Sequence, residues 1–102
     1  MKGKKHRLTQ ATDIPLKVKE TVGERDDWEC IICHKRGIPC AHFIARSHLG
    51  LGVPENIVTL CSAHHDMYDQ SEHRHKLKER IRAYLQSCYP DWDETKLYYH
   101  KF

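Results

Sequence analysis

Two short pairs of metal-binding residues constrain the fold of this chain more than any other feature. Cys30 and Cys33 form the first pair, Cys61 and His64 form the second, and two residues separate the members of each pair. Zinc prefers four thiolate or imidazole ligands in a tetrahedron, and one tight turn can supply two of them. The spacing therefore predicts a structural Zn²⁺ site that ties residue 30 to residue 64. The alternative is a set of unrelated thiols.

Composition favours a bound metal over disulfide bonds as the cross-link that stabilises the fold. The 102 residues are 39% hydrophobic and include five cysteines, and a chain this short often needs a metal or disulfides for stability. The cysteine count is odd and no secretory leader is visible, so we expect a cytoplasmic protein with reduced thiols. Cys40 and Cys88, outside both pairs, are expected to be small core residues.

Charge and hydropathy narrow the range of partners. The formal net charge is +3, a mild basic bias that gives only weak support for a polyanion partner. No run of apolar residues is long enough to cross a membrane, so we expect no membrane partner.

Polarity and periodicity divide the chain into an arm and one domain. Residues 1–12 are basic and aperiodic, which predicts a flexible arm, and residues 13–102 form the domain. Asp13 is a candidate helix cap and Gly23 a candidate helix end, while Asp91 and Glu94 resemble a capping box before an aromatic tail. In chain order, the patterns predict a helix over 16–21, strands over 38–44 and 56–60, a helix over about 62–69 and a helix over about 72–89.

A second histidine directly follows the last zinc ligand. Adjacent helical residues point about 100° apart, so His64 and His65 cannot easily bind one metal. His42 lies within the first predicted strand, on the opposite face from Ala41 and Phe43. We therefore predict a second site, in a cleft that His42 and His65 share.

Three runs of the chain share their order with a known family. They are Cys30-x2-Cys33, Cys40-Ala-His42-Phe-Ile-Ala-Arg-Ser, and Glu55-Asn56-Ile-Val-Thr-Leu-Cys61-Ser-Ala-His64-His65. This order resembles the zinc-containing HNH endonucleases, and most of all their small phage and prophage members. The resemblance covers about residues 28–75. It implies an α+β fold, namely a small zinc-bound ββα-metal core (His-Me finger, treble-clef-like) with flanking helices.

The resemblance also implies an activity and three roles. The chain would be a divalent-metal-dependent endonuclease, phage or prophage encoded, that hydrolyses DNA phosphodiester bonds in the bacterial cytoplasm by nicking or double-strand cleavage. His42 would be the general base that activates water. Asn56 would hold the loop that presents His42, through hydrogen bonds to backbone. His65 would bind the catalytic metal, which could be Mg²⁺, Mn²⁺, Ni²⁺ or Zn²⁺.

Two positions depart from the family pattern. His64 stands where many relatives have cysteine, which is a mild change because imidazole can replace thiolate. Ala41 stands where many relatives carry a second metal ligand, so the catalytic metal needs another one. Asp69 is the candidate, since it lies four residues after His65 on the same helical face. The alternative is that Asp69 only caps or solvates the helix end.

Basic residues near these motifs are candidates for binding nucleic acid. Arg46 follows the first strand and could grip a phosphate, and Lys35 and Arg36 could do so from the turn of the first pair. The alternative for each is a solvated surface charge. The alternative function is a non-catalytic zinc-binding module that binds DNA or protein as an accessory to phage DNA packaging. The expected partners are therefore DNA and phage packaging proteins.

Overall fold

The structure, a computed structural model, describes residues 7–70 and 72–100. These residues contain four helices and two strands. The fold is α+β, as predicted. The elements are α1 (Arg7–Thr12), α2 (Leu16–Arg25), β1 (Ile38–His42), β2 (Ile57–Leu60), α3 (Ser62–Gln70) and α4 (Arg74–Cys88), with short 3-10 turns at Arg46–His48, Pro54–Asn56 and Glu94–Lys96. Within the described ranges, no helix is long and apolar enough to cross a membrane.

The two strands form one antiparallel sheet that carries the cleft on one face. His42 pairs with Ile57, and the register shifts between Ile38 and Ala41. Every residue of β2 is buried, whereas β1 buries Ala41 and leaves His42 half-buried on the other face. The predicted strands are confirmed but shorter. β1 ends at His42, and Asn56 belongs to a 3-10 turn before β2, where its side-chain oxygen accepts a hydrogen bond from Ile44 N in the segment after β1.

The apolar stripe of α4, formed by Leu77, Ile81 and Leu85, packs over the buried face of the sheet. Full burial of a leucine or isoleucine side chain stabilises a fold by about 1.5–3 kcal/mol. Tyr68 of α3 joins this core and donates its hydroxyl hydrogen to the carbonyl of Phe43 over 2.6 Å. The core comprises Ala41, Phe43, Ile44, Val58, Leu60, Tyr68, Leu77, Ile81, Leu85 and Leu97, with Cys30 at the metal-binding end.

Helix α2 runs past Gly23, so the prediction that this glycine ends the helix is wrong. The indole ring of Trp28 lies against Gly23, and a Cβ atom there would collide with it. The helix ends at Arg25, after which Asp27 and Trp28 take left-handed backbone angles with φ of 57° and 58°. Gly23 therefore makes room for a ring and does not break the helix.

The N-terminal segment also differs from its prediction. Arg7–Thr12 is helical where the sequence predicts a flexible arm, while residues 1–6 lie outside the described ranges. The reason is tertiary: the Ala11 carbonyl accepts a hydrogen bond from Gly52 N over 2.9 Å, and Thr12 is buried. The N-cap residue of α2 is Pro15, so the prediction that Asp13 occupies this position is wrong.

Two smaller predictions at the C-terminal end need correction. The last turn is capped by Asp93, whose carboxylate accepts a hydrogen bond from Thr95 N over 3.0 Å, and not by Asp91. Cys88, like Cys40, is half-buried and lies outside the buried core. Helix α4 itself lies within the predicted range.

Candidate metal centre and the adjoining histidine cleft

Four ligand atoms converge at one end of the sheet. The cluster contains Cys30, Cys33, Cys61 and His64, whose ligand atoms all lie within 4.8 Å of one another. Cys33 Sγ and Cys61 Sγ are 3.7 Å apart, and His64 Nδ1 lies 3.3 Å from Cys61 Sγ. Zinc–sulfur bonds of about 2.3 Å in a tetrahedron place two sulfurs about 3.8 Å apart. The predicted set of four can therefore hold a structural metal such as zinc.

Backbone hydrogen bonds shape both halves of this metal centre. In the first half, Cys30 N donates to the Lys35 carbonyl over 2.7 Å, and His34 N donates back to the Cys30 carbonyl over 2.8 Å. Ile31 N donates to the Thr59 carbonyl over 3.0 Å, which joins this turn to β2. The second half is the start of α3, directly after β2. The metal centre thus fixes where α3 begins relative to the sheet.

The two adjacent histidines face different sites. While His64 points into the metal centre, His65 lines a cleft of about 250 Å³ together with His42 and Asp69. His65 Nε2 lies 3.7 Å from Asp69 Oδ2, the i,i+4 neighbour on α3. Other residues of this histidine cleft are Cys40, Ala45, Arg46, Tyr68 and Arg74.

The histidine cleft offers fewer protein ligands than the metal centre. Among the described residues, the metal centre is the one place where three or more Cys, His, Asp or Glu ligand atoms converge. His65 Nε2 and Asp69 Oδ2, 3.7 Å apart, are two possible ligand atoms in the histidine cleft.

His42 is oriented by a backbone carbonyl from outside the metal-binding region. Its Nε2 lies 2.8 Å from the Thr12 carbonyl oxygen. A carbonyl only accepts, so Nε2 carries the hydrogen and the neutral ring keeps its lone pair on Nδ1. Burial is the largest cause that lowers the pKa of His42 below 6.5, and the nearby Arg46 and His65 lower it further. The ring is therefore neutral at neutral pH.

Asn56 is the most completely engaged side chain near the cleft. It is fully buried, accepts a hydrogen bond from Ile44 N over 2.8 Å and donates to the carbonyls of Ile44 and Leu51 over 3.2 and 2.8 Å. These three bonds hold the segment after β1 against the loop before β2. Asn56 does not line the cleft, so it acts on His42 through the backbone.

The basic residues separate into two groups. Arg46 lies at the cleft, where its guanidinium pairs with Asp13 over 2.5 Å. Lys35 and Arg36 are exposed in the turn of the metal centre and do not line the histidine cleft. Their role in binding nucleic acid remains a prediction.

Sequence reasoning missed three residues that line or orient the site. Thr12 contributes only a backbone carbonyl, which no side-chain pattern reveals. Arg74 of α4 lies over the Tyr68 ring at 4.3 Å and lines the histidine cleft, and its only sequence signal is a basic residue in a basic helix. Lys19 lines a second groove of about 600 Å³, which shares Cys40, His42 and Arg46 with the cleft.

No family model, no curated protein and no solved structure matches this chain. The functional assignment therefore depends on the chemistry of the metal centre and the histidine cleft.

Proposed function

We propose that this chain is a divalent-metal-dependent endonuclease of the HNH type, with a ββα-metal core built on a structural zinc. The observation that carries the proposal is the division of the adjacent histidines, His64 to the metal centre and His65 to a cleft that contains His42. A structural zinc site alone does not require a cleft beside it that contains two further histidines.

In this proposal His42 is the general base. Its Nε2–H is held by the Thr12 carbonyl, so Nδ1 is the atom that removes a proton from the attacking water. The lowered pKa keeps this nitrogen unprotonated at neutral pH. Asn56 keeps the segment after β1 in place, which fixes the end of the strand that carries His42.

In the same proposal His65 and Asp69 would hold the catalytic metal. A divalent ion held there would supply Lewis-acid stabilisation to the phosphate and the leaving oxygen.

Cationic side chains around the cleft fit a DNA backbone. Arg46 and Arg74 both line it, and guanidinium groups bind phosphates through paired hydrogen bonds. The proposed setting is the cytoplasm of a bacterial host, and the proposed gene source is a phage or prophage.

Nicking of supercoiled plasmid tests the enzyme proposal directly. Wild type should cut with Mg²⁺, Mn²⁺, Ni²⁺ or Zn²⁺ and stop with a chelator, and His42→Ala should lower the rate about 100-fold or more. His48→Ala is the matched control, because His48 is exposed and lines neither the histidine cleft nor the second groove. Failure to cut with any metal, or equal cutting by His42→Ala, would favour the non-catalytic zinc-binding module of phage DNA packaging.

A metal titration tests the ligand assignment separately. Asp69→Ala should raise the metal concentration that gives half-maximal cutting by at least tenfold, the lower end of what losing a metal-site contact costs. Asp66→Ala is the control, since Asp66 is an exposed carboxylate on the same helix and outside the cleft. Equal midpoints for the two variants would remove Asp69 from the site.

A further inference from the structure

The corner between α1 and α2, residues 13–15, lines the second groove, which shares His42 and Arg46 with the histidine cleft. We infer that the Asp13–Arg46 ion pair fixes the position of this corner. It thereby keeps the Thr12 carbonyl within hydrogen-bond distance of His42 Nε2. The effect on catalysis rests on the proposed function, whereas the effect on the His42 ring does not.

The ion pair joins the two segments that make the His42 hydrogen bond. Asp13 directly follows Thr12, whose carbonyl is the acceptor, and Arg46 lies four residues after His42, whose ring is the donor. Arg46 Nη2 and Asp13 Oδ1 are 2.5 Å apart. Because Asp13 is covalently joined to Thr12, the ion pair restrains the position of the carbonyl that accepts from His42 Nε2.

The loop that bears Gly52 makes a second contact with the same part of the chain. Gly52 N donates to the Ala11 carbonyl over 2.9 Å, and a Cβ atom at Gly52 would collide with the Asp13 carbonyl. The neighbouring Leu51 carbonyl accepts from Asn56 Nδ2, so the loop that bears Gly52 is itself fixed. The corner thus contacts both Arg46 and the loop that bears Gly52.

The ion pair gives Arg46 a positioning role in addition to the phosphate contact proposed above. If Arg46 only bound substrate, Asp13 would be a competing anion, and its removal would strengthen DNA binding. If the pair positions the Thr12 carbonyl, loss of either charge has the same effect on the tautomer of the His42 ring. The two roles therefore predict different outcomes for Asp13→Asn: tighter DNA binding in the first case and an altered His42 tautomer in the second.

The first experiment measures the His42 ring in the full, zinc-loaded chain by imidazole ¹H–¹⁵N NMR. We expect the wild type to show a single Nε2–H tautomer at neutral pH, and Asp13→Asn and Arg46→Gln both to shift the two nitrogens toward a mixed tautomer. Gly52→Ala should do the same, because it displaces the Asp13 carbonyl without touching a charge. The charge-swapped pair, Asp13→Arg with Arg46→Asp, should restore the wild-type signals.

Controls come from exposed charges of the same kind on α2 and α4. Glu20→Gln and Arg80→Gln remove a charge from exposed side chains that line neither the histidine cleft nor the second groove. Both should leave the His42 nitrogens unchanged. Wild-type tautomer signals in both Asp13→Asn and Arg46→Gln would overturn the inference.

The second experiment follows plasmid nicking by the same variants. Asp13→Asn should lower kcat on the order of tenfold with KM unchanged, since displaced catalytic groups lose rate and not affinity. Tighter binding and an unchanged kcat would contradict the positioning role. Altered ring signals in a chain without nuclease activity would keep the positioning inference and reject the proposed function.

Discussion

Replacement of Asn56 by alanine tests how the cleft is held together. The side chain is fully buried and makes three hydrogen bonds to backbone groups of Ile44 and Leu51. Alanine leaves one N–H and two carbonyl groups without this partner, and each buried group that loses its partner costs about 1–3 kcal/mol. We therefore expect a loss of about 4 kcal/mol in the free energy of unfolding, a large share of the roughly 5–15 kcal/mol of a typical domain.

Urea unfolding at a fixed zinc concentration measures this loss. Thr59→Val is the matched control, because the Thr59 hydroxyl oxygen is also buried but has no hydrogen-bond partner among the described residues. Its replacement by a methyl group should leave the stability unchanged or raise it slightly. A loss below about 1 kcal/mol for Asn56→Ala, or equal losses for the two variants, would refute the view that hydrogen bonds to Asn56 fix the segment after β1.

Three further predictions separate local chemistry from packing. His64→Ala should lose tight zinc binding and cooperative unfolding, whereas His65→Ala should keep both and lose plasmid nicking, as zinc titration and thermal melts will report; equal effects would contradict the division of the two histidines. Because the folded pKa of His42 is lowered below 6.5, its neutral form persists at neutral pH and protonates only as the pH falls through the range below 6.5. The pH–rate profile at saturating zinc should then have its acid limb in that range, and the associated stability is lost in the same direction; a limb above pH 7 would count against His42 as the base. Gly23→Ala, which helix propensity alone predicts to stabilise by about 1 kcal/mol, should lower the melting temperature because its Cβ meets Trp28.

The metal-binding half of the site could be predicted because its signals are local in sequence. Each chelating turn is encoded within four residues, and the different directions of His64 and His65, about 100° apart, follow from helical geometry. The strand alternation that separates His42 from Ala41 is equally local. These parts needed no knowledge of the tertiary structure.

The other half depends on contacts between distant segments. Thr12 and His42 are 30 residues apart, and their bond uses a backbone carbonyl that every residue type possesses. The partner of Arg46 is Asp13, which the sequence suggests as a helix cap. Glycine is typical of helix ends, but Gly23 lies within α2 and makes room for the Trp28 ring. In each case tertiary contacts override a local preference, so periodicity and spacing could not reveal them.

Ala41 cannot supply a ligand to the proposed catalytic metal, and its surroundings give a physical reason for an apolar residue there. It is 1% exposed and part of the apolar core, on the opposite face of β1 from His42. A carboxylate at this position would be buried among apolar side chains, at a cost of several kcal/mol. In the proposed catalytic site the carboxylate would therefore come from an element that faces the cleft, and α3 carries Asp69 beside His65.

The substitution Ala41→Asp turns this reasoning into a test. If position 41 were a lost ligand site, aspartate would tighten binding of the catalytic metal and leave the stability near that of the wild type. Since residue 41 faces the core, we expect the opposite: a loss of several kcal/mol in urea unfolding and no lower metal midpoint in plasmid nicking. Tighter metal binding by a stable Ala41→Asp variant would show that β1 can turn residue 41 toward the cleft. In that case Asp69 would no longer be needed as the second ligand.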